Sequence, residues 1–359
     1  MTHSNSKNWA RSLAAGLVTP HQLLKQNLIS AEDVEDYKKL AENFDIRVPQ
    51  HFLKGIAAGN QSLAMQMIPD SRELLFLPEE LADPIGDQAF SPVKGITQRY
   101  PDRALLKLSH QCASYCRFCF RRNKVADPTE TLSNSELTAA FDYLKKHNEL
   151  WEVILTGGDP LVLTDSILKT TAEFLSQIDH IKILRIHTRI LTVLPERITD
   201  SLLEILRLSN KRVYLVAHIN HADELTPEAI FAIEKCHKSG IQLLSQNVFL
   251  KNINDSAAVL AILYRKLVEI GVKPYYLHYP DLAQGTQHFR VPLQEALNIY
   301  GQLRGTVSGL CVPQFMLDIP GGLGKIAIEP QRAKHLGQGL WEFTSPLTGE
   351  LLKVQYPEN

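Results

Sequence analysis

The amino-acid sequence predicts an α/β fold in which helices cover a parallel sheet. Three observations carry that reading. From about residue 104 onward, short apolar runs alternate with longer amphipathic segments. The runs lie at 104–108, 153–156, 181–186, 213–217, 242–248 and 275–278. The segments between them carry helix punctuation, and β-then-α units in series require parallel strands with right-handed crossovers. Such a set forms a complete barrel, a partial barrel or an open doubly wound sheet. In each case chemistry gathers at the carboxyl ends of the strands.

The elements follow in order. Residues 1–95 read as an N-terminal helical and wrapping region. Thr19 is placed to cap a helix that Pro20 begins. Residues 34–44 have helical composition, and residues 77–93, with three prolines and several acids, read as a wrapping connector. In the core, 96–325, Ser133 and Glu136 form a capping box, and Thr226 with Pro227 opens a helix that Gly240 closes. Gly271 closes the helix that begins near Ser256 in the same way. Residues 326–359 form a short tail with mixed strand and turn signals.

Composition narrows the class. The chain has 359 residues, 44% apolar and 21% charged, as globular proteins do. A formal net charge of −1 provides no field for nucleic acid or an anionic membrane, so neither is expected as a partner. Met1 to Lys7 is polar, and no run of ~18 apolar residues occurs, so a cytoplasmic location is expected. Three of the five cysteines fall within eight residues, which points to metal ligation in a reducing compartment rather than disulfides.

Those three are Cys112, Cys116 and Cys119, in CASYCRFC at 112–119. Three thiolates suit three irons of a [4Fe–4S] cube and leave the fourth iron open to a ligand, whereas electron carriers use four cysteines. The alternatives are a zinc site completed by His110 or a remote residue, and three inert buried thiols. Zinc sites usually pair two CxxC arms, and no second arm exists. Further on, GGDP at 157–160 follows the second apolar run, where Gly157 and Gly158 let backbone approach a ligand closely. Taken alone, those four residues are an ordinary turn. DIPGGLGK at 318–325 sets Lys325 behind three glycines in four residues. It is not a phosphate-binding Walker loop, since one residue separates its glycines and Ile326 stands where Ser or Thr is needed. A lysine so placed can bond an aldehyde cofactor, neutralise a phosphate, or simply lie in a surface turn.

The cysteine run, with Phe118 before its last cysteine, resembles the radical S-adenosylmethionine (SAM) superfamily. From about 90 to 330 the chain resembles the lysine 2,3-aminomutase family, which uses SAM and pyridoxal 5′-phosphate (PLP). The matching blocks include QRYPDR at 98–103, HTR at 187–189, HINH at 218–221, Gln246 with Asn247, Tyr275 with Tyr276, and Asp281 through HFR at 288–290. The resemblance implies a partial (βα)6 TIM-like radical SAM barrel. It implies a [4Fe–4S] cluster on Cys112, Cys116 and Cys119. It further implies SAM held by Phe118, Gly157, Gly158, Asp159, His218 and Gln246, with the GGDP element serving the SAM amino group. PLP is implied on Lys325, with Arg99 and Tyr100 near its phosphate. Arg121 is implied to receive the substrate α-carboxylate, and Asp281 and Asp318 the side-chain ammonium of lysine. Two acids facing one ammonium make physical sense, because an unpaired buried ammonium costs several kcal/mol. The implied activity is conversion of L-lysine to β-lysine, fed by a reductant such as flavodoxin or ferredoxin.

Two branches of that family remain open. The block at 218–224 is similar to members that supply (R)-β-lysine for elongation factor P, while DIPGGLGK is similar to members of lysine catabolism. Longer members carry a metal between subunits on further cysteines. No cysteine follows Cys311 here, so any homo-oligomer is expected to form without a bridging metal. Cys236 and Cys311 read as packing cysteines. Alternatives are an aminomutase for arginine or glutamate, or a noncatalytic Fe–S redox protein. The N-terminal region is expected to act as a lid over the barrel mouth.

Overall fold

The computed structural model describes residues 6–338 and 340–356. Met1 to Asn5, part of the polar start used above to argue location, lies outside them, as do Gly339 and the last three residues of the tail.

The core is one nine-stranded sheet in chain order. Its strands are β1 Ile96–Tyr100, β2 Arg103–Ser109, β3 Glu152–Gly157, β4 Ile183–Thr188, β5 Arg212–His218, β6 Gln242–Val248, β7 Lys273–His278, β8 Gln314–Ile319 and β9 Gly324–Ala327. Every pairing from β2 to β8 is parallel, while β1 and β9 run antiparallel at the two edges. The crossovers carry the helices Asn134–Lys146, Asp165–Ser176, Asp200–Arg207, Pro227–Lys238, Ala257–Glu269 and Leu293–Gly301. The α/β reading and the partial (βα)6 TIM-like barrel are therefore what the chain adopts. The Tyr100 hydroxyl accepts the Lys325 N–H at 3.0 Å, so β1 and β9 meet across the gap that a closed barrel would not have.

Local chemistry explains the helix boundaries. Thr19 and Ser133 cap with reciprocal boxes, Thr226 caps with proline following it, and Gly240 and Gly271 end their helices with φ of 75° and 79°. Alternation explains the barrel interior. Leu106, Leu108, Leu184, Ile186, Leu215, Ala217 and Leu277 pack into the core beneath the helices. Their neighbours Lys107, Arg185, His187, His218 and His278 therefore turn inward.

The structure differs from the sequence expectation in four places, the first being the antiparallel edge strand β1, which precedes the earliest apolar run. The run at 181–186 is displaced: β4 extends through His187 and Thr188, because its inward residues are polar and the apolar run stops before the strand does. A seventh parallel strand, β8, and the hairpin partner β9 went unread. Both carry polar inward residues, Asp318 and Lys325, that break any apolar run. The tail forms a small separate sheet of β10 Ala333–Gly337, β11 Leu340–Thr344 and β12 Leu351–Gln355.

Residues 77–91 strap the barrel mouth. Leu81 donates its N–H to Leu282 O at 2.7 Å, and Glu80 takes Arg290 and the Gly285 N–H. Gly86, at φ 66°, lies so close to the loop before Lys325 that a Cβ there would sit 2.7 Å from Gly321 C and Gly322 N. The strap therefore touches both loops that carry Asp281 and Lys325.

Candidate active site

The loop after β2 carries the three cysteines, and it is anchored by charge. Fully buried Glu73 accepts two hydrogen bonds from the Arg117 Nε and one from its Nη2, and it pairs with Arg122. These two arginines flank the cysteines in sequence, so one carboxylate from the N-terminal region pins the loop. Cys112, Cys116 and Cys119 all line one cavity. Burial pushes the Cys119 thiol up to about 11, reinforced by Cys116. Burial likewise drives Cys112 well up, with Asp159, Cys119 and Cys116 adding to it. Three thiolates crowded this way want a shared cation. Arg189 also donates to Cys116 Sγ at 2.8 Å. Among the described residues no three His, Cys, Asp or Glu side chains converge tightly enough for a single ion. His110 is not in that cavity, and its ring lies 3.6 Å from Glu130, so the thiols alone offer three soft ligands, the number that suits three irons of a cube.

Next to the cysteines stands the end of β3. A Cβ on Gly158 would lie 2.2 Å from Gln111 O, so only glycine lets these two loops touch. Gly157 holds φ 108°. The Asp159 carboxylate is committed to the scaffold. It accepts from Thr188 Oγ1, the Arg189 N–H and the Leu161 N–H at 2.7–3.1 Å, and so braces the end of β4. Burial raises it to about 6 against those bonds.

Phe118 stacks on His218 with ring centroids 5.5 Å apart, and His218 pairs in register with Gln246 on β6. Burial lowers His218 to about 3, helped by Arg189. Burial also drives His187 far down, with Arg185, Lys325, Arg121 and His218 adding to it. Both rings are neutral at pH 7. Among the described residues, Nε2 of each ring is buried without a hydrogen-bond partner. Such atoms want a polar ligand in the barrel, as SAM would be.

Lys325 closes the other side. Its Nζ donates to Asp318 Oδ2 at 2.7 Å, lies 3.3 Å from His278 Nδ1, and sits 5.7 Å from the centre of the Tyr276 ring. Asp318 and Lys325 are direct partners across the β8–β9 hairpin. Burial, then Lys325, His218 and His187, keep His278 well below its usual range, so it is a neutral acceptor. Arg99 reaches Asp318 at 3.6 Å and stands beside Tyr100. An amine with a carboxylate, an arginine and a tyrosine around it fits covalent PLP with its phosphate neutralised.

Between the cysteines and Lys325 lies Arg121, which feels Asp87, Cys119 and Asp281. Its Nε and Nη2 donate to Asp87 Oδ2 at 3.1 and 2.7 Å. Burial, with Asp318 next, raises Asp281 to about 7, against the pull of Lys325, Arg121 and Arg99. Of the site residues expected from sequence, the three cysteines share one cavity, Phe118 stacks on His218 beside Gln246, and Lys325, Asp318, Arg99 and Tyr100 meet at the edge of the sheet, with Asp281 and Arg121 close enough to feel each other's charge. Sequence reasoning passed over Asp87, Lys107, His187, Arg189 and His278 as site residues. Only the HTR block and the run ending at residue 278 hinted at them.

The comparisons with known proteins agree. The model of the radical SAM superfamily matches residues 106–261. An L-lysine 2,3-aminomutase of Acetoanaerobium sticklandii is 35% identical over 90% of this chain and 78% of its own length. The chain belongs to the L-lysine 2,3-aminomutase family. Members of this family are radical SAM isomerases that use a [4Fe–4S] cluster, SAM and PLP. The family protein of Methanococcus maripaludis is 40% identical over 76% of this chain, which spans 63% of that relative's length. The Escherichia coli member is 38% identical over 90% of this chain and 95% of its own length. Among the described residues no helix is long and apolar enough to cross a membrane.

Proposed function

We propose that this protein converts L-lysine to β-lysine by moving the amino group from C2 to C3. The observation that carries the proposal is the set of charges that meet inside the barrel. Arg121 stands near the cysteines, and the acid pair Asp281 and Asp318 stands near Lys325. An amino acid with a cationic side chain can span them, its carboxylate on Arg121 and its ammonium on the acids. When bound, the cluster with SAM supplies a carbon-centred radical for hydrogen abstraction, and PLP supplies an imine across which nitrogen can migrate.

The chain's own residues do the rest. Cys112, Cys116 and Cys119 hold the cluster. Phe118, Gly157, Gly158, His218 and Gln246 line the SAM side, while Asp159 acts by bracing the strand end. Lys325 holds PLP, with Arg99 and Tyr100 toward its phosphate. His278 accepts a hydrogen bond at Lys325 Nζ and keeps that amine aimed into the chamber. The strap at 77–91 excludes water from the mouth, and exclusion matters because a radical reacts with whatever it meets. The boundaries that support this division of labour are 1–95 for the wrapping region, 96–325 for the core and 326–359 for the tail. A cytoplasmic flavodoxin or ferredoxin is the class of electron donor that a cluster on these cysteines would take.

Anaerobic incubation of reconstituted protein with lysine, SAM, PLP and dithionite tests the reading. β-Lysine is the expected product. A β-amino acid formed from arginine or glutamate, and none from lysine, would reject the acid-pair argument.

A further inference from the structure

Lys107 has no place in the roles given so far, yet it occupies the chamber. It lies on β2 between Leu106 and Leu108, both packed under the helices, so its side chain points into the barrel. Only 7% of it is exposed. Its Nζ lies 3.7 Å from Asp87 Oδ2, the same oxygen that Arg121 binds at 2.7 Å. Arg99 reaches the other Asp87 oxygen at 3.5 Å.

We propose that Lys107 is the second cation of the substrate-carboxylate site. The inference rests on the lysine reading above and deepens it. The argument is a count of charge. If Arg99 serves the PLP phosphate, the carboxylate site contains Arg121, Asp87 and Lys107, because the neighbouring Lys124 and Glu130 pair with each other at 3.2 Å and cancel. Arg121 and Asp87 alone sum to zero, because Asp87 holds one full edge of the guanidinium. A substrate carboxylate would then meet a neutral pair and bind poorly after losing its water. Lys107 adds one positive charge, and the sum of +1 matches one carboxylate. Asp87 thereby keeps the guanidinium fixed without cancelling its attraction for substrate.

The neighbourhood also makes that charge titratable. Lys107 faces Asp87 from the strap, Arg121 and Lys124 from the cysteine loop, Glu130 from the turn Pro128–Glu130, His110 at the end of β2 and, across Asp87, Arg99. Burial, and then Arg121, bring Lys107 down to about 8 against the pull of Asp87. Its charge is present below that value and lost above it. Substrate affinity should follow the same course.

The test compares wild-type protein with Lys107→Met and Lys107→Arg, each reconstituted with cluster and PLP. Lysine and lysinamide affinities are read from the visible absorbance of bound PLP, and KM and kcat from β-lysine formation. Lys107→Met is expected to raise KM for lysine about tenfold, with kcat within about threefold of wild type. It should bind lysinamide as wild type does, because that ligand lacks the carboxylate. Lys107→Arg should restore KM and abolish its rise above pH 8, since arginine stays charged. An unchanged KM in Lys107→Met, or an equal loss of lysine and lysinamide binding, would overturn the inference. So would loss of PLP binding in both variants, which makes the residue structural. Wild-type protein that turns over no lysine would instead reject the underlying reading, and the binding comparison would still decide the role of Lys107.

Discussion

Replacing Asp281 with asparagine should damage function and stabilise the ligand-free protein, with a pH dependence that can be worked out in advance. Burial, with Asp318 next, raises Asp281 from 3.8 to about 7. Between those two values the folded protein keeps a proton that the unfolded chain has released. Unfolding stability therefore falls as pH rises through that window, and it levels off above it. The shift of roughly three pH units corresponds to about 4 kcal/mol in all. Asparagine has nearly the same shape and cannot ionise, so Asp281→Asn escapes the penalty. From pH 5 to pH 8, about two units of the window are crossed. The advantage of the variant should thus grow by about 3 kcal/mol over that range. The assay is denaturant unfolding of ligand-free wild type and variant at both pH values, beside lysine turnover at pH 8. Turnover should fall by about two orders of magnitude, as expected when a buried ion pair to substrate loses one partner. A variant with the same stability margin at both pH values would show that Asp281 does not carry the strain assigned to it. Full retention of turnover would show that it does not meet the substrate ammonium.

Two further outcomes are expected. Glu73→Ala leaves Arg117 and Arg122 buried without their counter-ion and should destabilise the protein by about 3–5 kcal/mol in thermal or denaturant unfolding; a change under about 1 kcal/mol would show that the loop is held by something else. Lys325→Ala should carry no covalently attached PLP after borohydride reduction, read by intact mass, whereas wild type should carry one; attachment at another lysine would move the cofactor site.

Sequence by itself determined the local features. Five of the six strand runs, the capping boxes at Thr19 and Ser133 and the glycine stops at 240 and 271 are set by neighbours within a few residues, and the structure keeps them, while the run at 181–186 is shifted toward its polar end. The cysteine spacing and the glycine-flanked Lys325 were legible for the same reason, since each is a short segment with its own chemistry. Tertiary structure decided which distant segments share a chamber. Asp87 on the strap meets Arg121 and Lys107, Glu73 meets two arginines 44 and 49 positions away, and Asp318 meets Lys325 only because a hairpin turns between them. Lys107 interrupts an apolar run and was read as part of a strand, with nothing local to say that its side chain faces inward. Hydrophobic period records which face of an element is buried. The pairing of buried charges depends on how the whole sheet curls, and long-range folding alone brings those charges together.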